Sequence, residues 1–305
     1  MPAYVAKRLL TMIPVLFAII TISFFVMRLA PGGPFDKDRV MPAEVRANIE
    51  KKYHLDESPA RQYFRYMLDV ARFDLGPSFK YADRSVNDII REHAPISLRL
   101  GVMALALALL IGIPAGCIAA LRQNSFFDYS AMAVALTGIS IPNFVIASAL
   151  MYIFSIRLSW LPVAGWDSWR NMALPVITLS LYYTAFVARL SRAGLLEVIN
   201  QDYIRTARAK GLPERVVLVR HALRGGLLPV VTYLGPATAA ILTGSLVVEK
   251  IYGIPGIGSE FVNSALNRDY TLVLGTVILY STFLIMLNLV VDVLYTYLDP
   301  RIEFK

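Results

Sequence analysis

Six stretches of this 305-residue chain contain no Asp, Glu, Lys or Arg: residues 9–27, 100–121, 129–156, 171–188, 225–248 and 270–291. They are 19, 22, 28, 18, 24 and 22 residues long. A helix needs roughly 20 mostly apolar residues to cross about 30 Å of hydrocarbon. The chain is therefore predicted to be all-α, a polytopic membrane protein with six transmembrane helices. Only 17% of its residues are charged and 56% are hydrophobic, where a soluble domain carries about 25% and 45–50%. Lys7 and Arg8 precede the first stretch as they would in a leader. A cleavable signal, however, has an apolar core of about 7–15 residues and small residues before the cut. Here the core is longer, and Arg28 stands third before a cut after Ala30. Residues 1–30 are read as an uncleaved transmembrane helix.

Charge predicts the orientation, because Lys and Arg in short loops are retained in the cytoplasm. Residues 189–227 hold eight basic side chains against Glu197, Asp202 and Glu214, a balance of +5. Lys7 and Arg8 add +2, so these two regions carry seven of the eight excess charges. Residues 36–92 have eleven basic and eleven acidic side chains, a balance of zero. Both termini and the 189–227 connection are expected to be cytoplasmic. Residues 31–96 are expected to form a small external subdomain between helices 1 and 2, and residues 97–305 a five-helix core. A net charge of +8 on a soluble protein would point to nucleic acid. Topology accounts for it here, and no nucleic-acid partner is implied.

Two short helices are predicted in the external segment, over 42–53 and 59–71, before the turn Leu75-Gly76-Pro77-Ser78. That segment is either a cap on the outer face or a docking surface for a soluble partner. In the inner connection, Asp202 can cap a helix starting at Tyr203, and Gly211 with Pro213 closes it after about two turns. Pro213 and Glu214 suit the first turn of the next helix. Ala207 and Ala209 are small enough for close approach by another protein. The same basic stretch would also suit anionic lipid headgroups. Spacing alone leaves both readings open.

Several chemical readings fail on residue type. Gly253 and Gly258 have the spacing of a phosphate-binding loop, but Ser259 and Glu260 follow where Lys and Ser or Thr are required. Residues 252–259 are read instead as a tight external turn or re-entrant gate element. No uncharged stretch carries an ionisable group for a proton relay. Cys117 reads as a small packing residue, and His54, His93 and His221 have no ligand-like spacing to it or to one another. Tyr182 and Tyr183 fit helix packing. No catalytic constellation can be assembled, so the chain is not expected to be an enzyme or to hold a cofactor or metal.

Residues 202–212 (DYIRTARAKGL), followed by Arg220-His221-Ala222-Leu223, resemble the cytoplasmic loop of binding-protein-dependent ABC importer permeases. The family pattern is Glu-Ala-Ala, three residues, Gly, nine residues, Ile-x-Leu-Pro. Anchored on Gly211, its first three positions fall on Arg205, Thr206 and Ala207. His221 and Leu223 take later positions, and Arg224 stands where Pro is usual. The missing Glu and Pro resemble the peptide-transport subfamily. Residues 21–34 (TISFFVMRLAPGGP), 76–81 (GPSFKY), 85–89 (SVNDI), 252–258 (YGIPGIG) and 266–270 (LNRDY) look like the first permease subunit of oligopeptide importers.

The resemblance implies a multi-pass protein of the bacterial inner membrane that moves oligopeptides by alternating access. It implies a second, homologous permease, two cytoplasmic ATPase subunits that bind ATP and Mg, and a periplasmic peptide-binding protein. Membrane lipid surrounds the assembly. Asp202, Tyr203, Arg205, Thr206, Ala207, Arg208, Ala209, Lys210, Gly211 and Leu212 would couple the chain to an ATPase, with Gly211 setting the turn and Ala207 the close contact. Tyr252, Gly253, Pro255, Gly256 and Gly258 would form the external gate or turn. A dipeptide or nickel-type importer is the nearest alternative. An ion-coupled secondary transporter would want buried carboxylates or broken helices at midplane, and an intramembrane enzyme a catalytic pair. A scaffold without transport differs only in assay.

Overall fold

The computed structural model describes residues 2–29, 51, 53–81 and 83–298, without the side chains of 2–7, 242–244, 291–292 and 294–298. The described residues are helical, apart from turns and one isolated bridge between Pro77 and Ser85. Helix suits such a chain because no water pairs with a backbone in hydrocarbon. Among the described residues, four helices are long and apolar enough to cross a membrane: α1 (Pro2–Leu29), α3 (Val86–Leu121), α6 (Trp169–Ile199) and α13 (Tyr270–Leu298). A helix pair bent by 105° makes up to five.

The two remaining stretches depart from the predicted single helices. The third is broken into α4 (Phe126–Ser140) and α5 (Asn143–Leu150), the latter running on as the π-helical turn Met151–Arg157. Ile141 is extended, with φ −88° and ψ 125°. The ring of Pro142 disfavours helical geometry in the residue before it. The fifth becomes α9 (Leu223–Gly226), α10 (Leu228–Gly244) and α11 (Leu246–Ile251). Pro229 has no N–H to give the preceding turn, and Gly244 with Ser245 are weak helix formers. The six-helix expectation thus becomes four long helices, a bent pair and a segmented stretch.

The chain divides into two compact units. The first comprises Met1–Ile96 and Gly256–Ile285. The predicted helix 59–71 is present as α2 (Pro59–Ala71), whereas the helix expected over 42–53 lies almost wholly outside the described residues. Val86, Ile89 and Leu272 form a core over which Leu75 and Ile90 pack. Asp269 caps α13, accepting from the Leu272 N–H at 3.2 Å. The same carboxylate accepts from the Ser78 hydroxyl and, at 3.2 Å, from the Phe79 N–H. Tyr81 donates to Glu260 at 2.7 Å, on α12 (Ile257–Asn267). Residues 76–81 and 266–270, far apart in sequence, thereby meet through the buried Ser78 and Asp269.

The second unit comprises Ser97–Pro255 and Met286–Lys305. Helix α6 is its axis: Leu174, Leu179, Tyr183, Val187, Ala188, Ser191 and Leu195 are all buried. Glycines let the neighbouring helices approach. A Cβ at Gly112 would stand 2.8 Å from Val187 Cγ1, and one at Gly116 would collide with the Ala188 carbonyl. Small residues four apart are how apolar helices gain packing where lipid supplies no hydrophobic drive. Gly194 of α6 meets Gly226 of α9 as closely.

Candidate functional site

The 189–227 connection folds into a compact hook. Helix α7 (Asp202–Ala209) begins one residue before the predicted start, with Gln201 rather than Asp202 in the capping position. Asp202 lies in the first turn, where a negative charge still favours the positive end of the helix dipole. Gly211 ends the helix at φ +77°, its N–H bonded to the Arg208 carbonyl at 2.9 Å. A residue with a side chain resists that conformation. Pro213 then precedes α8 (Glu214–Val216), which passes through the π-helical Val217–Ala222 into α9.

One face of α7 is spent within the chain. Ile204 and Ala207 are buried and pack with Cys117, Ala120, Leu195, Val217 and Ala222, with Leu223 half-buried beside them. Ala207 therefore does not offer the predicted close contact to another protein. With only two turns, the residue three after Ile204 falls on the same inward face. The outward face carries Tyr203, Arg205, Thr206, Arg208, Ala209 and Lys210, continued by Gly211 and Leu212, all exposed. Ala209 is the small residue open to close approach.

Arg208 closes the hook by donating to Glu214 from Nε at 3.1 Å and from Nη2 at 2.6 Å. These hydrogen bonds hold the Glu214 carboxyl below the usual carboxylate range and raise Arg208. The pair bridges the Gly211 turn between α7 and α8, with both partners exposed. Gly225 stands behind the helix, where an added Cβ would come within 3.4 Å of the Tyr203 hydroxyl.

A second tie lies nearby in the chain. Asp128, in the first turn of α4, is buried and receives Arg192 of α6 through Nε at 2.5 Å and Nη2 at 2.7 Å. Asp128 sits just outside an uncharged stretch and entered no charge balance, and Arg192 counted only toward the +5 of residues 189–227. Their pairing had no signal in spacing.

Tyr252 and Gly253 form a turn, residues 254–256 link it to α12 (Ile257–Asn267), and Ile257 and Gly258 already belong to that helix. Tyr252 is buried, its hydroxyl 2.9 Å from Thr178 Oγ1 and its carbonyl receiving the Gly165 N–H at 3.1 Å. Gly253 has φ +60° and Pro255 is exposed. Behind the turn, buried Glu249 accepts from Ser97 at 2.6 Å and Ser245 at 2.7 Å. Gly256 precedes α12, and Gly258 is buried within it.

The sequence pattern of a family described as "Binding-protein-dependent transport system inner membrane component" matches residues 112–304. The chain belongs to this family. As an inner membrane component of such a transport system, it is a multi-pass permease subunit and not itself an enzyme. The match takes in the α7 hook, the Asp128–Arg192 pair and the Tyr252 turn. The oligopeptide transport system permease protein OppB of Escherichia coli (strain K12) is 52% identical over 303 residues, 99% of each chain. The dipeptide transport system permease protein DppB of Bacillus subtilis (strain 168) is 45% identical over 99% of this chain and 98% of its own. Among solved structures, the MetNI methionine ABC transporter in an inward-facing form matches with TM-score 0.58 and 16% identity. That match spans 69% of this chain and 96% of the other. An amino acid ABC transporter matches with TM-score 0.56 and 13% identity, over 69% and 94%. At such identities the transport-component likeness is one of fold.

Proposed function

We propose that this chain is one half of the transmembrane pathway of an ATP-driven importer that carries oligopeptides into the bacterial cell. A second, homologous permease completes the pathway, a periplasmic peptide-binding protein delivers the cargo, and two cytoplasmic ATPases bind ATP and Mg. The 52% identity to an oligopeptide permease along the whole chain supports the substrate class. Dipeptides are the second reading, supported by the 45% identical relative.

One observation carries the coupling role: α7 is seated by Ile204 and Ala207 in its own core while its basic outward face stays open. A helix anchored on one side and braced across Gly211 by Arg208 and Glu214 moves as a unit with α6 and α8. An ATPase groove pushing on Tyr203, Thr206, Ala209 and Lys210 would thereby shift the spans and alternate access. The Tyr252 turn, tied to α6 through Thr178, is the candidate gate.

The chain crosses six times with both termini inside. Placing Lys7, Arg8 and the +5 connection on one side requires an even number of crossings between them. Helices α1, α3 and α6 make three, so the bent α4–α5 pair must cross once rather than return.

Assembled importer in proteoliposomes tests the reading. ATP-dependent uptake of oligopeptide is expected, together with crosslinking of Ala209→Cys to the ATPase. Uptake that follows an imposed ion gradient without ATP would dismiss the importer, and absence of the crosslink would displace the coupling contact. Asp56→Cys and Lys210→Cys should label from opposite sides with an impermeant reagent.

A further inference from the structure

Helix α2 is held against the span of α1 rather than above it. The Thr21 and Tyr63 hydroxyls lie 2.8 Å apart. Tyr63 stacks on Phe25 at 5.3 Å and meets Phe24 edge-on at 5.5 Å, and Tyr66 stacks on Phe24 at 5.8 Å. Thr21 precedes Met27, the end of the first uncharged stretch, by six residues. At 1.5 Å per residue this places the Tyr63 contact about 9 Å inside that end.

The apolar arc of α2 does not stop at α1. Around the helix, Tyr63 is followed by Met67, Ala60, Ala71, Phe64 and Leu68, and then by Arg61, Arg72 and Arg65. Phe64 and Leu68 are 66% and 61% exposed, and Phe73, just past the helix, 87%. Arg61 and Arg72 are exposed along the adjoining edge, while Arg65 beside them donates to Glu57 at 2.6 Å. An apolar face continuous with a membrane span, flanked by cations on long stems, is the pattern of a helix lying in the boundary between headgroups and acyl chains. Such a face sinks about 5–10 Å, matching the depth at which Tyr63 is tied. Arginine stems extend their charge back to the headgroups.

We infer that α2 is an interfacial helix whose Phe64–Leu68 face is covered by phospholipid of the outer leaflet, with Arg61 and Arg72 at the phosphates. The segment thus anchors the outer end of the permease in lipid, a role distinct from capping the outer face or docking a soluble protein. The proposed topology is needed only to name the leaflet; the depth is independent of it.

The test uses the assembled importer in nanodiscs of phosphatidylethanolamine and phosphatidylglycerol. Phe64→Cys or Leu68→Cys carries a nitroxide on a Cys117→Ala background, with Asp56→Cys as the reference. Collisions with oxygen should exceed those with a nickel chelate at Phe64 and Leu68, and the order should reverse at Asp56. A nickel-dominated response at Phe64 and Leu68 overturns the inference, because the face then meets water. Shielding from both reagents also overturns it, because a protein chain then covers the face. Should the labelled chains fail to assemble, Phe64→Trp supplies the reading: its added emission must be quenched by lipids brominated in the upper acyl chain, and unquenched emission rejects the inference. In vesicles with nickel outside only, an unreached Asp56 label overturns the orientation while leaving the depth standing.

Discussion

The Arg192 guanidinium grips both oxygens of the Asp128 carboxylate, joining the first turn of α4 to α6 across 64 positions of sequence. Asp128 is 1% exposed and Arg192 25%. Removing one partner of a buried pair leaves a charge stranded, at a cost of about 3–5 kcal/mol; the partial exposure of Arg192 brings this toward the lower end. Asp128→Asn should therefore lower membrane levels and the melting temperature in detergent. Asp128→Leu with Arg192→Met should recover much of that loss. Wild-type melting by Asp128→Asn would mean the pair carries little.

The two alanines of α7 separate packing from coupling. Overpacking a core costs about 1–3 kcal/mol, so Ala207→Trp should lower the melting temperature of the isolated permease. Ala209→Trp should leave that temperature unchanged and abolish ATP-driven uptake in the assembled importer. Normal uptake by Ala209→Trp would remove the outward face from the coupling contact.

Substitution at two glycines should have opposite signs. Gly116→Ala drives a methyl into the Ala188 carbonyl, a backbone atom that cannot swing aside, and should reduce folded protein. Gly138→Ala meets Ala185 Cβ and the Leu181 carbonyl at an ordinary 3.5 Å. It also gains helix propensity of up to about 1 kcal/mol. Its melting temperature should equal or exceed that of the unmodified chain.

Burial, with the Glu260 hydrogen bond, pushes the Tyr81 phenol from 10.0 up to about 12. A group whose pKa is raised by folding keeps its full contribution below the unfolded value and loses it as pH climbs through the folded one. Stability should therefore fall between about pH 10 and about pH 12. In Tyr81→Phe the fall should be shallower. Unfolding curves at stepped alkaline pH measure both, and equal slopes would remove Tyr81 as the source.

Much of the 189–227 connection was legible in the sequence. Gly211 and Pro213 mark the end of α7 through backbone geometry, a property of the residue itself, and Gly211 adopts the left-handed conformation. Asp269 and Ser78 were visible only as parts of two short motifs. Their contact joins positions 191 apart, and no local pattern encodes a pairing at that range. The Gly112–Gly116 spacing entered no reading of the sequence, and its close approach to Val187 and Ala188 emerges only from the packed structure.

Charge-free runs and the balance of Lys and Arg determined the helical character and the expected sidedness, because partition into hydrocarbon depends on local composition. The tertiary structure decided which face of α7 is spent inward, how Pro142 bends the third stretch by 105°, and which carboxylate receives Arg192. Periodicity shows which residues share a face. Only the packing of neighbouring helices decides where that face points, because the energy lies in contacts between residues remote in sequence.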